Sequence, residues 1–448
     1  MTLFLAVSPS VFLRAHSRHS RFLLFPLVAS LHLSAQAPLL QDGATILRQA
    51  RLDWTLGQTL LPPSSLPSFE LGLGGSGSDG TYTPLVGGEG QGHGTAGWGL
   101  GLQGRYVRGG WSVSATVLTL RNQGHTSGIL QRAALAYEAE SGWRLALEQT
   151  PFAWGSGLNG GDLLGDAARP FPRLSVATPS VTLPLGRWRL ETFAGQLEES
   201  HPIPTWITGT DTRLAARTAG LDLHQPSLWG GLVRASFGTL LEGSLGALTM
   251  TGGHDELGQP APGGSARSEA LAELRLRLPT LAQVLRARGA SVWVSRCGAP
   301  DDRAWTLVPA RDLGGLQLAW DGWDLALEYA GAAAQGPQSS LVQPTYLAGF
   351  STRGDPLGPA FGRDVATRTV ELGLPLLLDG QGRLKAVRAT AAAGSPSGLG
   401  SWFFQGDAQW RTPTGRVGAS LASRRDEALG SEARWGWAFS LFQAVRVF

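Results

Sequence analysis

The chain is poor in charge. Asp, Glu, Lys and Arg make up 16% of its 448 residues, against roughly 25% in an ordinary soluble domain. It has one cysteine, Cys297, so no internal disulfide framework is available. Its only lysine is Lys385. Beyond the N-terminus there is no run of about 18 apolar residues, which excludes a bundle of membrane-spanning helices. Glycine, by contrast, is abundant: 62 residues, about twice the usual share of roughly 7%. The glycines have no period of three, which excludes a collagen-like chain. With 16 Trp, 16 Phe and 42% hydrophobic residues, a disordered chain is excluded as well.

Arg14, Arg18 and Arg21 precede the apolar run Phe22 to Leu33, and Ala35-Gln36-Ala37 has the small-x-small pattern of a signal-peptidase site. The expectation is a cleaved signal peptide over 1–37. Its removal takes three arginines and no acid, so Lys+Arg falls from 37 to 34 and matches the 34 Asp+Glu. The net charge drops from +3 to zero, and no case for a nucleic-acid partner survives. An exported chain without paired cysteines fits a fold closed by hydrogen bonds instead of disulfides.

The repeating unit is a strand, a tight turn and a strand opening with Trp. Trp98, Leu100, Leu102 and Tyr106 alternate with Gly99, Gly101, Gln103 and Arg105; after Gly109-Gly110 come Trp111, Val113, Ala115 and Val117 on one face. Trp143, Leu145 and Leu147 follow Ser141-Gly142, and Trp323, Leu325, Leu327 and Tyr329 follow Asp321-Gly322. Period two places each set on its own side of a sheet, and these dipeptides suit two-residue hairpins. A soluble sandwich would turn the apolar face inward; a membrane barrel turns it to lipid around a polar lumen. Aromatic residues beside the turns, short turns alternating with long Gly/Pro-rich loops, and a final strand ending in Phe448 favour the barrel. Short turns near 109–110, 141–142, 184–187, 225–228, 279–288, 321–322, 379–382 and 411–415 predict 18 strands, with 16 as the alternative count and both termini in the periplasm. Long connections are expected near 75–94, 121–130, 150–176, 198–213, 240–265, 298–312, 332–367, 393–401 and 424–432. The expected fold is thus an all-β transmembrane antiparallel barrel over 67–448, preceded by a periplasmic segment over 38–66. In that segment Asp42 caps a short helix running to about Arg51. Pro375 marks a bulge or strand end, and 279–288 holds a helical turn. Arg446 shares the face of Phe448 and snorkels to the periplasmic interface.

Catalytic signals are sparse. His93, His125, His201, His224 and His254 have no zinc-helix or Cys/His spacing. No GxSxG marks a nucleophile, and no glycine pair opens a helix after a strand to cradle phosphate. No cofactor or metal is expected, and the reading is a non-enzyme. Two loops stand out. Residues 154–174 combine Trp154, Asn159, Asp162, Asp166, Arg169 and Phe171 among glycines; 346–364 carry Tyr346, Phe350, Arg353, Asp355, Phe361, Arg363 and Asp364. Both are too long for plain connectors. Aromatic faces suit sugar C–H groups, and Asn, Asp and Arg give directed hydrogen bonds to hydroxyls and carboxylates. The same composition also suits loops that seal the pore with Arg paired to Asp, and both readings stand.

At these loops the chain resembles the Wzi family of outer-membrane capsule assembly proteins. Trp154, Gly155, Gly157, Asn159, Gly160, Ala168, Arg169, Pro170, Phe171 and Pro172 match a Trp-Gly-rich stretch running into an Ala-Arg-Pro-Phe-Pro-like segment. Tyr346, Gly349, Arg353, Gly354, Leu357, Gly358, Gly362 and Asp364 match a later one, with Pro359 where the family often has His. Elsewhere the likeness is one of size, leader and strand pattern. The resemblance implies an 18-stranded outer-membrane barrel with a small periplasmic helical element in a Gram-negative-type cell. It implies a lectin-like, non-catalytic role for which Trp154, Asn159, Asp162, Asp166, Arg169, Phe171, Tyr346, Arg353 and Asp364 are the carbohydrate-binding candidates. Expected partners are surface polysaccharide, outer-membrane lipid and, through Phe448, the barrel-assembly machinery. The alternatives are a porin or substrate-specific channel, motivated by the polar lumen faces, and a barrel-embedded hydrolase using a loop histidine such as His254.

Overall fold

The computed structural model describes residues 68–79, 96–122, 125–150, 153–159, 161–164, 170–197, 225–254, 266–300, 307–331, 351–352, 355–356, 365–378, 380–391, 400–412, 415–426 and 434–446. The leader, the 38–66 segment with its expected helix, and Phe448 lie outside the described residues.

The chain folds into an antiparallel β-barrel. Its strands are β1 (Ser68–Asp79), β2 (Ala96–Arg108), β3 (Trp111–Asn122), β4 (His125–Glu138), β5 (Arg144–Gln149), β6 (Arg173–Ala177), β7 (Val181–Leu183), β8 (Gly186–Gln196), β9 (Ser227–Phe237), β10 (Leu241–Thr251) and β11 (Ala266–Arg277). After the helix α1 (Pro279–Val284) come β12 (Gly289–Pro300), β13 (Leu307–Ala319), β14 (Asp324–Ala330), β15 (Ser351–Thr352), β16 (Asp355–Pro356), β17 (Val365–Leu376), β18 (Gly380–Ala391), β19 (Gly400–Thr412), β20 (Gly415–Asp426) and β21 (Arg434–Arg446). β6 and β7 both pair with β8 and form one interrupted wall strand, while β15 and β16 make a separate hairpin. Of the 19 strands in the main sheet this leaves 18 walls, and β1 pairs with β21 to close the ring. Closure satisfies every edge, the condition for crossing lipid with strands.

The two faces have the polarity of a membrane barrel. Leu100, Leu102, Val113, Leu135, Leu145, Leu147 and Leu245 point outward and are exposed, whereas Gln103, Thr116, Glu148, Ser244, Glu269 and Gln405 point inward and are buried. Aromatic pairs mark the short-turn end: Trp111–Tyr137 at 4.9 Å between ring centroids, Trp188–Phe237 at 5.9 Å and the stacked pair Trp320–Trp323 at 3.9 Å. These are the amphipathic rings of an interfacial girdle.

Eight short turns and nine opposite-end connections separate the wall strands, but several stretches differ from expectation. Residues 225–228 are not a turn: β9 begins at Ser227, and the turn lies at 238–240. Residues 241–251, expected as loop, are β10. Toward the long-connection end these strands are apolar on both faces. Leu228, Leu232, Leu248 and Met250 are buried inside while Trp229 and Leu245 are exposed outside, so the alternation that reveals a barrel strand is missing. The connection expected over 121–130 shrinks to 123–124, because β3 and β4 form a long hairpin. Pro375 stands one residue before the end of β17, and 279–288 contains α1, both as expected.

Candidate functional site

The lumen is occupied by the connection between β5 and β6. Its stems are tied by charge. Arg173 lies 3.3 Å from Glu148 and donates 2.7 Å to the Thr150 carbonyl; Arg144 pairs with Glu148 at 2.7 Å, and Ser175 donates 2.5 Å to the same carboxylate. Between the stems the chain folds back on itself. Trp154 and Leu164 form an isolated antiparallel bridge, with the Trp154 and Leu163 amides donating at 3.0 Å. Gly161 is required inside this hairpin: a Cβ there would lie 1.8 Å from the Leu164 carbonyl oxygen.

One side of the hairpin is apolar. Trp154, Leu163 and Leu164 are buried with Phe171, Phe193, Leu228, Leu232, Leu248, Met250, Leu271 and Cys297 of the adjoining segment and wall. Trp154 and Phe193 ring centroids are 5.2 Å apart, and those of Phe171 and Phe193 5.9 Å. The wall is hollowed to receive it: a Cβ on Gly230 would meet Leu248 at 2.5 Å and the Trp154 ring at 3.0 Å. Burying Leu163 and Leu164 contributes about 1.5–3 kcal/mol each relative to a water-filled lumen.

The tip is polar and reaches far. The Ser156 amide donates to Glu273 at 2.6 Å, and Arg275 donates to the Ser156 hydroxyl. Ser295 donates to Asp162 at 2.5 Å, and Arg311 lies 3.7 Å from the same carboxylate. The Leu158 amide donates to Glu328 at 2.6 Å, the Asn159 amide group to Thr369 at 2.8 Å, and Lys385 to the Leu158 carbonyl. Lys385 in turn lies 3.8 Å from Glu371. The loop enters the wall at its sixth strand, and β18 is the fifteenth. The tip is therefore held nine strands away from its own return, half of an 18-strand circumference. The segment is a brace across the bore.

Of the residues singled out from sequence, Trp154, Asn159, Asp162 and Phe171 are brought together here, each buried with protein partners. Asp166, Arg169, Tyr346, Arg353 and Asp364 lie outside the described residues. The wall partners of the brace were not singled out. Glu273, Ser295, Arg311, Glu328, Thr369, Glu371 and Lys385 all share the inward parity of their strands, and the unique lysine facing Glu371 across β17–β18 was the available signal. Among the described residues no group of three or more His, Cys, Asp and Glu forms a metal site.

No family model matches the chain, and no curated protein sequence does. Solved structures do match in fold. Wzi of Escherichia coli, an outer-membrane protein involved in group 1 capsule assembly and described as a carbohydrate-binding β-barrel, superposes with a TM-score of 0.64; the match covers 90% of this chain and 88% of Wzi at 18% identity. OccK3 (OpdO) of Pseudomonas aeruginosa matches with a TM-score of 0.50, over 85% of this chain and 96% of that one, at 11% identity. The resemblance to Wzi first visible at the two loops thus recurs across the whole barrel fold.

Proposed function

We propose that the chain is an outer-membrane barrel, exported by its 1–37 leader, that binds surface polysaccharide and helps attach or assemble it at the cell surface without catalysis. The observation that carries this reading is the brace. A loop pinned through buried hydrogen bonds and ion pairs to the far wall turns a conduit into a rigid platform. The shared fold with Wzi, itself a carbohydrate-binding barrel, supports the same direction. In this reading Asp166 and Arg169, which follow the braced hairpin, and Tyr346, Arg353 and Asp364, in the connection between β14 and β17, offer rings and charge-assisted hydrogen bonds to the glycan. Trp154, Asn159, Asp162 and Phe171 hold that surface from beneath.

The test is binding of the refolded barrel to purified surface polysaccharide of the producing strain, with an unrelated barrel as control. Saturable binding, weakened about tenfold or more by Arg169→Ala or Arg353→Ala, is expected from the loss of a charge-assisted hydrogen bond. Absent binding together with steady single-channel conductance in planar bilayers would replace this reading by the channel.

A further inference from the structure

The inner face of β8 and β9 carries charge below the brace that the polysaccharide reading does not use. Arg187, Arg189 and Arg234 share the inward parity of Phe193 and Leu232, which are buried against the brace. Arg189 stands directly opposite Arg234, and Arg187 stands opposite Ser236, one diagonal step from Arg234. Direct partners lie about 5 Å apart and diagonal ones about 7–8 Å, within reach of long side chains. The three guanidinium groups therefore share one patch of the lumen wall. The turns 184–185 and 238–240 adjoin it, and short turns mark this end as the periplasmic one. Phe193, where the brace pocket begins, lies four residues beyond Arg189, about 13 Å along the strand.

The patch is wet and its charge is unbalanced. Arg187 is exposed, the Arg189 side chain is 45% exposed and Arg234 is half-buried. The inward acids on β8–β11, from the short turns up to the brace, already have arginine partners. Glu191 lies 3.4 Å from Arg189, while Glu242 and Glu273 both pair with Arg275, at 3.4 and 2.8 Å. Arg277, the remaining inward arginine at this level, donates to the Thr239 carbonyl at 2.6 Å. Five guanidinium groups thus face three carboxylates, an excess of two positive charges. Among the described residues neither Arg187 nor Arg234 has a hydrogen-bond or ion-pair partner.

Elsewhere the inner wall sets each cation beside an acid, as in Lys385 with Glu371, Arg383 with Asp407 and Arg311 with Asp162. Like charges directly opposite on paired strands destabilise the pair, and Arg189 with Arg234 is such a pair. A doubly charged oxyanion removes the repulsion and cancels the excess of two. Phosphate fits by charge and by shape: a monoester carries about −1.5 to −2 at pH 7 and accepts bidentate hydrogen bonds from arginine. A carboxylate cancels only one of the two charges. Ser236, opposite Arg187, and Ser244, opposite Arg234 on β10, set hydroxyl donors beside the guanidinium groups for further phosphate oxygens.

We infer that Arg187, Arg189 and Arg234 form a phosphate-binding site in the periplasmic mouth of the lumen, below the brace, that takes a phosphate-bearing solute from the periplasm. The site lies on the other side of the brace from the long loops and does not depend on the polysaccharide reading.

Equilibrium dialysis of the full refolded barrel in non-ionic detergent at low ionic strength, where screening is weak, tests it with radiolabelled inorganic phosphate and glucose 1-phosphate as probes. Saturable binding of one anion per barrel is expected. Arg187→Gln together with Arg234→Gln should weaken it about tenfold or more, the loss expected for charge-assisted hydrogen bonds. Glucuronate, with a single charge, should bind the wild-type barrel more weakly than phosphate by a similar factor. Glu191→Gln removes the acid beside the patch and should strengthen phosphate binding severalfold, a gain that misfolding cannot imitate. Arg108→Gln, at an exposed arginine beside the β2–β3 turn, should leave it unchanged. Tighter binding of glucose 1-phosphate than of inorganic phosphate would assign the site to a phosphomonoester, and the reverse order to the free anion; both support it. Heat-modifiable migration of each variant confirms a folded barrel. Non-saturable association, glucuronate bound as tightly as phosphate, or a double variant that binds like the wild type would overturn the site.

Discussion

Strands β17 and β18 carry charge on both faces and treat it in opposite ways. Inside, Glu371 and Lys385 are buried 3.8 Å apart, and on the next strand pair Arg383 binds Asp407. Outside, Arg368 and Arg388 are direct cross-strand partners of one sign. The difference follows from what surrounds each face. Lys385 and Glu371 are buried away from solvent, so a charge there needs an opposite charge or a protein dipole, or the barrel loses stability. The outer rim borders headgroups and water, which screen charge, so arginine is tolerated there. The inner face sets opposite charges together because they are buried, and the outer face tolerates two guanidinium groups on paired strands because it borders water.

The largest effect expected is on the inner face. Gly161→Val places a side chain where even a Cβ would lie 1.8 Å from the Leu164 carbonyl oxygen. The hairpin cannot close, and its apolar side leaves the pocket made by Leu228, Leu232 and Leu248. The wall strands keep their pairing, so a folded barrel with a detached brace is expected. Planar-bilayer recording should show steady ion conductance greater than that of the wild type, and limited proteolysis should cut within 153–164. A variant that keeps wild-type conductance and protease resistance would show that the hairpin does not hold the lumen shut.

Next in size is the ion pair. Lys385→Met leaves Glu371 buried without its cation and removes the donor to the Leu158 carbonyl. Losing one partner of a buried pair costs about 3–5 kcal/mol, and Lys385→Met with Glu371→Gln should recover much of it. Arg368→Met, one strand away on the other face, should instead be neutral or stabilising by about 0.2–1 kcal/mol, because it relieves a like-charge pair. Urea unfolding in micelles measures all three. Equal losses at Lys385 and Arg368 would erase the distinction between the faces.

The sequence showed the barrel well where lumen and lipid differ in polarity. Leu100 and Leu102 against Gln103, or Leu145 and Leu147 against Glu148, announce a wall strand directly. It hid β9 and β10 for the reason that makes them interesting. Leu228, Leu232, Leu248 and Met250 face inward to pack on the brace, which removes the alternation. Half of the candidate site was legible in the same sense. Trp154, Asn159 and Asp162 stood out by composition, but Ser295 and Thr369, the partners of Asp162 and Asn159, come from strands more than 100 residues later, as does Glu273, which accepts from the Ser156 amide. Only the closed barrel brings them together, and local spacing carries no trace of it. The outer arginine row was hidden likewise: Arg368, Arg388 and Arg425 become neighbours through register alone.

The smallest effect tests whether the outer row is organised or merely charged. Trp402 lies between Arg388 and Arg425 in register and holds the Arg388 guanidinium over its ring at 5.2 Å. Trp402→Leu keeps an apolar surface at the rim and removes the π face, so the loss is a cation–π contact at an exposed site, about 0.5–1 kcal/mol. Unfolding stability should fall by no more than that. A loss well above about 1 kcal/mol would show that Trp402 contributes more than one cation–π contact. No measurable loss would show that the contact between Arg388 and the ring adds nothing to stability, and that the outer face, unlike the inner one, holds its charge without specific pairing.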